Sequence, residues 1–362
     1  MSTIRDVARI AGVSTATVSR AINSPEAVSP QTRDRVAVAM KACRYHYNAL
    51  ARCFVTKQSS TLGLIVPSIT NPIFAESIRG VQDFAHRQGY QVLLGNSDYE
   101  YPKEARLCEV LRERQVEGLI ITTTSLKGKV LRDLLDDHFP FVLLYSTIRR
   151  GPMSSVGVDN FLGGYTATEH LIRQGHRRIA MLAGGFSFSD KSLHRWHGYK
   201  RCLRDHRIAY DPALVLQTRY VLESGREGIK TLLAQDQPPT AVFCSNDFMA
   251  IGAMQGAREF GVPTPGGLSI VGFDDMTIAS YISPSLTTIR QPAYEMGRLG
   301  AEILLDQIKK STRGPVHKIL ETSIVIREST AAPGASRKQK AKRSLTPRQR
   351  LSDIGSQRRM QP

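Results

Sequence analysis

The chain has 362 residues, enough for more than one domain, and its 41% hydrophobic and 22% charged content exclude a disordered or fibrous protein. Its net charge of +17 is concentrated at the ends: residues 1–59 hold nine Lys/Arg against three Asp/Glu, residues 334–362 nine against one, and +3 remains between them. The cysteines 43, 53, 108, 202 and 244 lack the paired spacing of zinc or disulfide frameworks, and no apolar run reaches the ~18 residues of a membrane span.

The first 45 residues predict three short helices. Thr3 caps a segment in which Ile4, Val7, Ala8 and Ala11 share one face. Gly12 supplies a turn, and Ser14 caps a second helix whose apolar stripe is Val18, Ala21 and Ile22. That helix carries Thr15, Ala16, Ser19, Arg20 and Asn23 on its other side, small or hydrogen-bonding residues with a single long cation. An ordinary solvated face would be filled with Glu and Lys. Ser29-Pro30 starts the third helix, with Val36, Ala39, Met40 and Cys43 facing the core. Two helices joined by a short Gly turn and followed by a third make a helix-turn-helix arrangement, and a basic end carrying it suits nucleic acid.

From residue 61 the runs TLGLIVPSI, YQVLLGNS, VEGLIITTT and FPFVLLYST alternate with helical stretches at about 25-residue spacing. RRIAMLAGG, TAVFCSND and LSIVGFDD form a second series. Continuous apolar strands alternating with helices predict two doubly wound lobes with parallel sheets. Ligands bind beyond the carboxyl ends of such strands. Those ends carry Ser68, Asn71, Asn96 to Asp98, Asn246-Asp247 and Asp274-Asp275, a polar set suited to a neutral, hydroxyl-rich small molecule. A second reading of Asp247 and Asp274 stands beside this one, as caps of the helices that follow. Residues 331–362 predict a basic, disordered tail. No phosphate-loop, dinucleotide, zinc-protease or nucleophile-elbow motif is present, and neither a cofactor nor a metal is expected.

The stretches IRDVARIAGVSTATVSRAIN, NALARCF, LGLIVPSITNPIF, GHRRIAMLAG, SNDFMAIGAM, IVGFDD and LTTIRQP, in that order, resemble the LacI/GalR family of bacterial transcriptional regulators over about residues 2–330. The wording VSTATVSRA and QPPTAVFC is similar to its cytidine-repressor-like members. The resemblance implies a helix-turn-helix domain over 1–46, a hinge helix and linker over 47–60, and an α/β core of the periplasmic-binding-protein type over 61–330. Lobe one would take about 61–160 and 292–321, lobe two 161–291 and 322–330. It further implies a homodimer or tetramer on a palindromic operator in double-stranded DNA, in the cytoplasm with the nucleoid, repressing under control of a sugar or nucleoside.

Carried over by position, Thr15, Ala16 and Arg20 would read bases, and Thr3, Ser14, Thr17, Ser19 and Asn23 would hold phosphates. The hinge would contribute Asn48, Ala51 and Phe54. Phe74, Ser189, Lys191, Arg195, Tyr220, Asn246 and Asp274 would bind the effector. Two positions depart from the family pattern. Tyr45-His46-Tyr47-Asn48 lacks the usual proline, which frees a backbone N–H, and Phe54 stands where a leucine wedge is usual. The rival classes are a two-lobed receptor, which would need an export signal and no helix-turn-helix, and an α/β enzyme on sugars or nucleosides, which would turn its ligand over.

Overall fold

A computed structural model of the chain describes residues 2–23, 25–45, 59–187, 189–310 and 314–334. The hinge positions Asn48, Ala51 and Phe54 and the tail beyond residue 334 lie outside the described residues. The chain divides into two compact units, Met1–Ser59 and Ser60–Pro362.

The first unit is built from α1 (Ile4–Ala11), α2 (Thr15–Asn23) and α3 (Pro30–Ala42). Thr3 and Asp6 close the start of α1, with the Thr3 backbone N–H and hydroxyl donating to the Asp6 carboxylate at 2.9 and 2.8 Å. Gly12 ends α1 at φ +61°, the left-handed conformation that glycine adopts without a Cβ penalty. The Ser14 hydroxyl accepts from the Thr17 backbone N–H at 3.1 Å and starts α2. Val7, Ala8, Ala11, Val18, Val36 and Ala39 are buried in one small core, with Ala21, Ile22, Met40 and Cys43 packed against it. These are the faces that the helical spacing predicts.

The second unit holds two six-stranded sheets. The first has the order β11-β5-β4-β3-β1-β2, from β1 (Thr61–Val66), β2 (Gln91–Asn96), β3 (Gly118–Ile121), β4 (Phe141–Leu144), β5 (Ser154–Val158) and β11 (His317–Leu320). The second has the order β12-β10-β9-β8-β6-β7, from β6 (Ile179–Gly184), β7 (Val215–Thr218), β8 (Ala241–Cys244), β9 (Ser269–Asp274), β10 (Thr287–Arg290) and β12 (Ser323–Val325). All pairs are parallel except β10 with β12, an antiparallel edge on the second of the expected parallel sheets. There the chain enters from β11 of the first sheet and runs along the edge of the second against β10.

Helices α4 (Pro72–Arg87), α5 (Tyr101–Glu113), α6 (Lys129–Asp136) and α11 (Ala293–Ile308) accompany the first sheet. Helices α7 (Asn160–Arg173), α8 (Asp190–Asp205), α9 (Leu222–Leu233) and α10 (Asp247–Glu259) accompany the second. The chain passes between lobes three times: from β5 to α7, from β10 to α11, and from β11 to β12.

Close approach of α7 and α8 depends on glycine. A Cβ at Gly198 would lie 2.0 Å from the Phe161 carbonyl oxygen, and one at Gly164 would lie 2.2 Å from that of Arg195. The contact holds the N-terminal turn of α7 against α8, and so sets Asn160 beside Arg195. Gly198→Ala should force the helices apart and cost about 1–3 kcal/mol, the usual range for overpacking. Thermal unfolding of the full chain reads this directly, and an unchanged midpoint would mean that the pair separates freely.

Candidate functional site

In the first unit, α2 presents the residues expected to meet DNA. Ser14, Thr15, Ala16 and Arg20 are exposed, Thr17 and Ser19 are half-buried, and Val18 anchors the opposite side in the core. The Ser14 and Thr17 hydroxyls lie 2.9 Å apart, so both are held at the helix start, where backbone N–H groups point outward toward any anion. Thr3 is exposed at the start of α1, and Asn23 is the last residue of α2. Arg35 donates to the carbonyl oxygens of Ala11 and Gly12, pinning the turn between α1 and α2.

In the second unit, all seven residues expected to bind the effector line one cavity. Phe74 comes from lobe one; Ser189, Lys191, Arg195, Tyr220, Asn246 and Asp274 come from lobe two. The same wall includes Asn71, Tyr99, Thr122, Thr123, Tyr145, Asn160 and Gln291, which the site expectation does not name. Asn71 is among the polar strand-end residues. Ser68, Asn96, Asp98, Asp247 and Asp275 from that set do not line the cavity.

Each wall residue is held by a local device. Asn246 caps α10, accepting from the Met249 backbone N–H at 2.9 Å, and its amide nitrogen is left for the cavity. The Tyr220 hydroxyl donates to Ser189 and accepts from Ser192, both at 2.6 Å. Its ring lies where a side chain on Gly184 would stand, 2.1 Å from that residue's hypothetical Cβ. Arg195 is buried with its guanidinium 3.5 Å from the centroid of the Phe273 ring. It donates to Asn160 Oδ1 at 2.8 Å and to the Ser245 carbonyl. Phe74 packs edge-on against Tyr145, whose hydroxyl donates to the Ile73 carbonyl.

Asp274 ends β9 at φ +124°, a backbone conformation that costs a non-glycine residue about 1–3 kcal/mol and that gathers at functional sites. Its carboxylate accepts from Gln291 at 2.6 Å, and burial pushes its pKa up to about 7. It is not a helix cap. Neither does Asp247 cap α10; it lies beneath the cavity and accepts from the Met276 backbone N–H at 2.8 Å and the Thr288 hydroxyl at 2.5 Å. Burial, and then the nearby Asp274 charge, drive the Asp247 carboxyl well above the usual range. Asp275 is taken by Arg290 and Arg327, each at 2.6 Å.

Among the contacts that cross between the lobes, two are made by residues that line the cavity on both sides. Lys191 Nζ donates to the Thr123 carbonyl at 3.0 Å, and the rings of Tyr99 and Tyr220 stack with centroids 5.5 Å apart. Buried Glu104 fixes the Thr123–Thr124 loop through bonds to Thr123 Oγ1 (2.6 Å) and the Thr124 backbone N–H (2.9 Å). The cavity left between these bridges is about 60 Å³, room for a few waters. Thr122 Oγ1 and Gln291 Oε1 are buried in its wall without a hydrogen-bond partner among the described residues. Such atoms are uncommon in native structures and point to a polar guest. Among the described residues no group of three or more His, Cys, Asp or Glu could hold a metal ion, and no helix is long and apolar enough to cross a membrane.

A helix-turn-helix unit joined to a two-lobed α/β unit with a polar cleft defines a DNA-binding regulator with a ligand domain. Residues 3–48 match the model of the bacterial regulatory proteins of the lacI family, and 168–330 that of the periplasmic binding protein-like domain. The HTH-type transcriptional repressor PurR of Vibrio atlanticus is 37% identical over 317 residues, 85% of this chain and 92% of its own length. The CytR repressor of Escherichia coli K12 is 35% identical over 331 residues, 91% and 97% of the two chains. Among solved structures, the Lac repressor dimer bound to operator and the anti-inducer ONPF superposes with a TM-score of 0.82 at 29% identity, covering 91% of this chain and 99% of that one. The CelR–cellobiose complex gives 0.69 at 31% identity, covering 91% and 100%. The chain belongs to the LacI family of bacterial transcriptional regulators. PurR and CytR are similar to it to nearly the same degree.

Proposed function

We propose that the chain is a cytoplasmic repressor, without enzymatic activity, whose affinity for a palindromic operator is set by a sugar or nucleoside held between its lobes. The cavity carries the reading: seven residues expected to bind a ligand meet in one pocket, where two buried oxygens have no hydrogen-bond partner among the described residues. Asp274, Asn246, Gln291 and Arg195 suit hydroxyl groups, while Phe74 and Tyr220 suit a ring face. A sugar or nucleoside needs more than the present space, so the Lys191–Thr123 bond and the Tyr99–Tyr220 stack must part or turn on binding. The ligand thereby selects one relative orientation of the lobes, and linkage to operator affinity follows from that difference.

The chain pairs with a second copy. Leu93 and Leu94 on lobe one are 40% and 44% exposed, and Val221, Leu222, Ile278 and Tyr281 on lobe two are exposed as well. Exposed apolar patches of this kind mark contact surfaces. The Lac repressor dimer on its operator supplies the likeness for a two-fold assembly on DNA. A thermal-shift screen of sugars and nucleosides, followed by operator titration with and without each hit, tests the effector reading. A set in which nothing stabilises the chain, or in which every hit leaves operator affinity unmoved, overturns it.

On the DNA side, Thr15, Ala16 and Arg20 read bases in the major groove, where the short side chains allow close approach. Thr3, Ser14, Thr17, Ser19 and Asn23 contact phosphate, and Asn48, Ala51 and Phe54 engage the minor groove. The Arg20 fork matches guanine O6 and N7, so Arg20→Ala should cost about 1–3 kcal/mol per half-site and relax preference at one base pair. An affinity loss equal across all sequences would instead make Arg20 a phosphate contact.

The tail adds a sequence-independent term. Its nine Lys/Arg against one aspartate should strengthen salt-sensitive binding to any duplex. Deleting residues 334–362 should flatten the slope of log K against log salt, and an unchanged slope would remove the tail from DNA binding.

A further inference from the structure

Away from the cleft, α8 carries a second concentration of charge. His194, His197, Arg201 and Arg204 recur at helical spacing and form one stripe, with Lys200 beside it and Arg207 just past the helix end. Together with Phe161, Ile208, Ala209 and Tyr210 they line a groove of about 910 Å³. Lys200 and Arg204 stand four apart and Arg201 and Arg204 three apart, spacings at which like charges disfavour a helix.

Arg201 is the group's paired cation, bonded to Asp205 at 2.8 Å. Lys200, Arg204 and Arg207 have no ion-pair partner among the described residues. Lys200 Nζ instead rests over the rings of Trp196 and Tyr210, 4.3 and 4.7 Å from their centroids. Phe161 is 39% exposed at the groove's other side. Cations around apolar and aromatic side chains match an anionic head on an apolar or ring-bearing body better than a bare ion. A concavity of this size holds a small molecule.

We propose that this groove is a second ligand site that takes a small organic phosphate, its phosphoryl group on Lys200, Arg204 and Arg207 and its body against Phe161 and Tyr210. The site is independent of the effector reading, since none of its lining residues lines the cleft. Guanidinium and ammonium groups are the side chains that recognise phosphate, arginine with two parallel bonds.

Trp196 is the chain's one tryptophan, and it touches Lys200, so its fluorescence reports occupancy of the groove. The full chain is titrated with phenyl phosphate, with inorganic phosphate, and with sodium chloride at matched ionic strength. Phenyl phosphate should give a saturable change, tighter than inorganic phosphate, and chloride should give none. The Lys200→Gln/Arg204→Gln/Arg207→Gln chain changes exposed or half-buried groups and should keep its thermal midpoint while binding phenyl phosphate about tenfold or more weakly. The Asp274→Asn chain should titrate as wild type, which separates this groove from the cleft. Equal binding by wild type and the triple variant overturns the proposal, as does a wild-type titration no different from chloride. So does a triple variant whose only loss is non-specific duplex binding, which would assign the stripe to nucleic acid.

Discussion

Arg195→Ala is expected to weaken effector binding by about 5- to 150-fold, the factor for a buried polar partner worth about 1–3 kcal/mol. The same change should lower folding stability by about 2–4 kcal/mol, because the guanidinium is part of the core as well as of the cleft. Its removal strands the Asn160 carbonyl and the Ser245 carbonyl, both buried, and takes away the cation stacked on Phe273. It also leaves Asp274 without its nearby positive charge. Stability loss alone could therefore mimic a binding defect.

Asp274→Asn separates the two effects. The amide is isosteric with the carboxyl and mimics the protonated form that burial favours, so the thermal midpoint near pH 7 should not fall and should rise if anything, since the amide is spared the cost of holding a proton that the unfolded aspartate releases. Hydroxyl groups that a carboxylate accepts from would lose that acceptor strength, and binding should fall by a similar 5- to 150-fold. Calorimetry with the effector found by screening reads both chains, and operator affinity without effector should stay close to wild type. Full ligand response in both would place the effector site elsewhere and leave Arg195 a packing residue.

The three-helix unit was legible because helical periodicity, caps and a turn glycine all agree there; Val18, Ala21 and Ile22 face the core, and Ser14 starts α2. The long apolar strands were equally plain. Strands β5, β7, β10, β11 and β12 were not read from their own residues. The run Ser154–Val158 owes its burial to neighbouring strands rather than to apolar residues, and β7, β11 and β12 lie at sheet edges, half exposed. Missing β5 hid Asn160, which follows it and holds Arg195.

Tyr99 was hidden for another reason. It reaches the cleft through consecutive left-handed residues, Asp98 at φ +52° and Tyr99 at φ +62°, and no local pattern announces that turn. The exposed Leu93 and Leu94 on β2 likewise depart from a sheet covered on both faces, because burial depends on what packs there and not on the strand's own residues. The reading of Asp247 and Asp274 as helix caps failed because Asn246 already occupies the cap of α10, and the strained turn at Asp274 feeds a loop instead.

The buried pair Asp247 and Asp274 should make the pH dependence of stability run downhill between about pH 4 and 7. Both carboxyls hold protons in the folded chain at pH values where an unfolded aspartate, with its usual value near 3.8, has released them. Folding therefore takes up protons in that window, and this contribution to stability is lost as pH rises toward about 7. His170 and His176 act in the opposite sense. Burial lowers both below the usual 6.5, so their contribution is lost as pH falls through that value. The two slopes overlap, and the thermal midpoint of the wild type alone cannot separate them.

The difference between wild type and Asp247→Asn can. An amide at 247 keeps both hydrogen bonds of the site: its oxygen accepts from Met276, and its nitrogen donates to the Thr288 hydroxyl. It cannot ionise, so the variant should be close to wild type near pH 4.5 and gain on it as pH rises. The gain should grow steadily from pH 4.5 to 7.5, the direction that a raised carboxyl requires. Thermal unfolding of both chains from pH 4.5 to 8 at constant ionic strength gives the difference directly, with the histidine slope cancelling. A difference flat with pH would mean that Asp247 is ionised in the folded chain as it is in the unfolded one. A difference that shrinks as pH rises would reverse the assignment, making the charge at this position a stabilising element of the lobe.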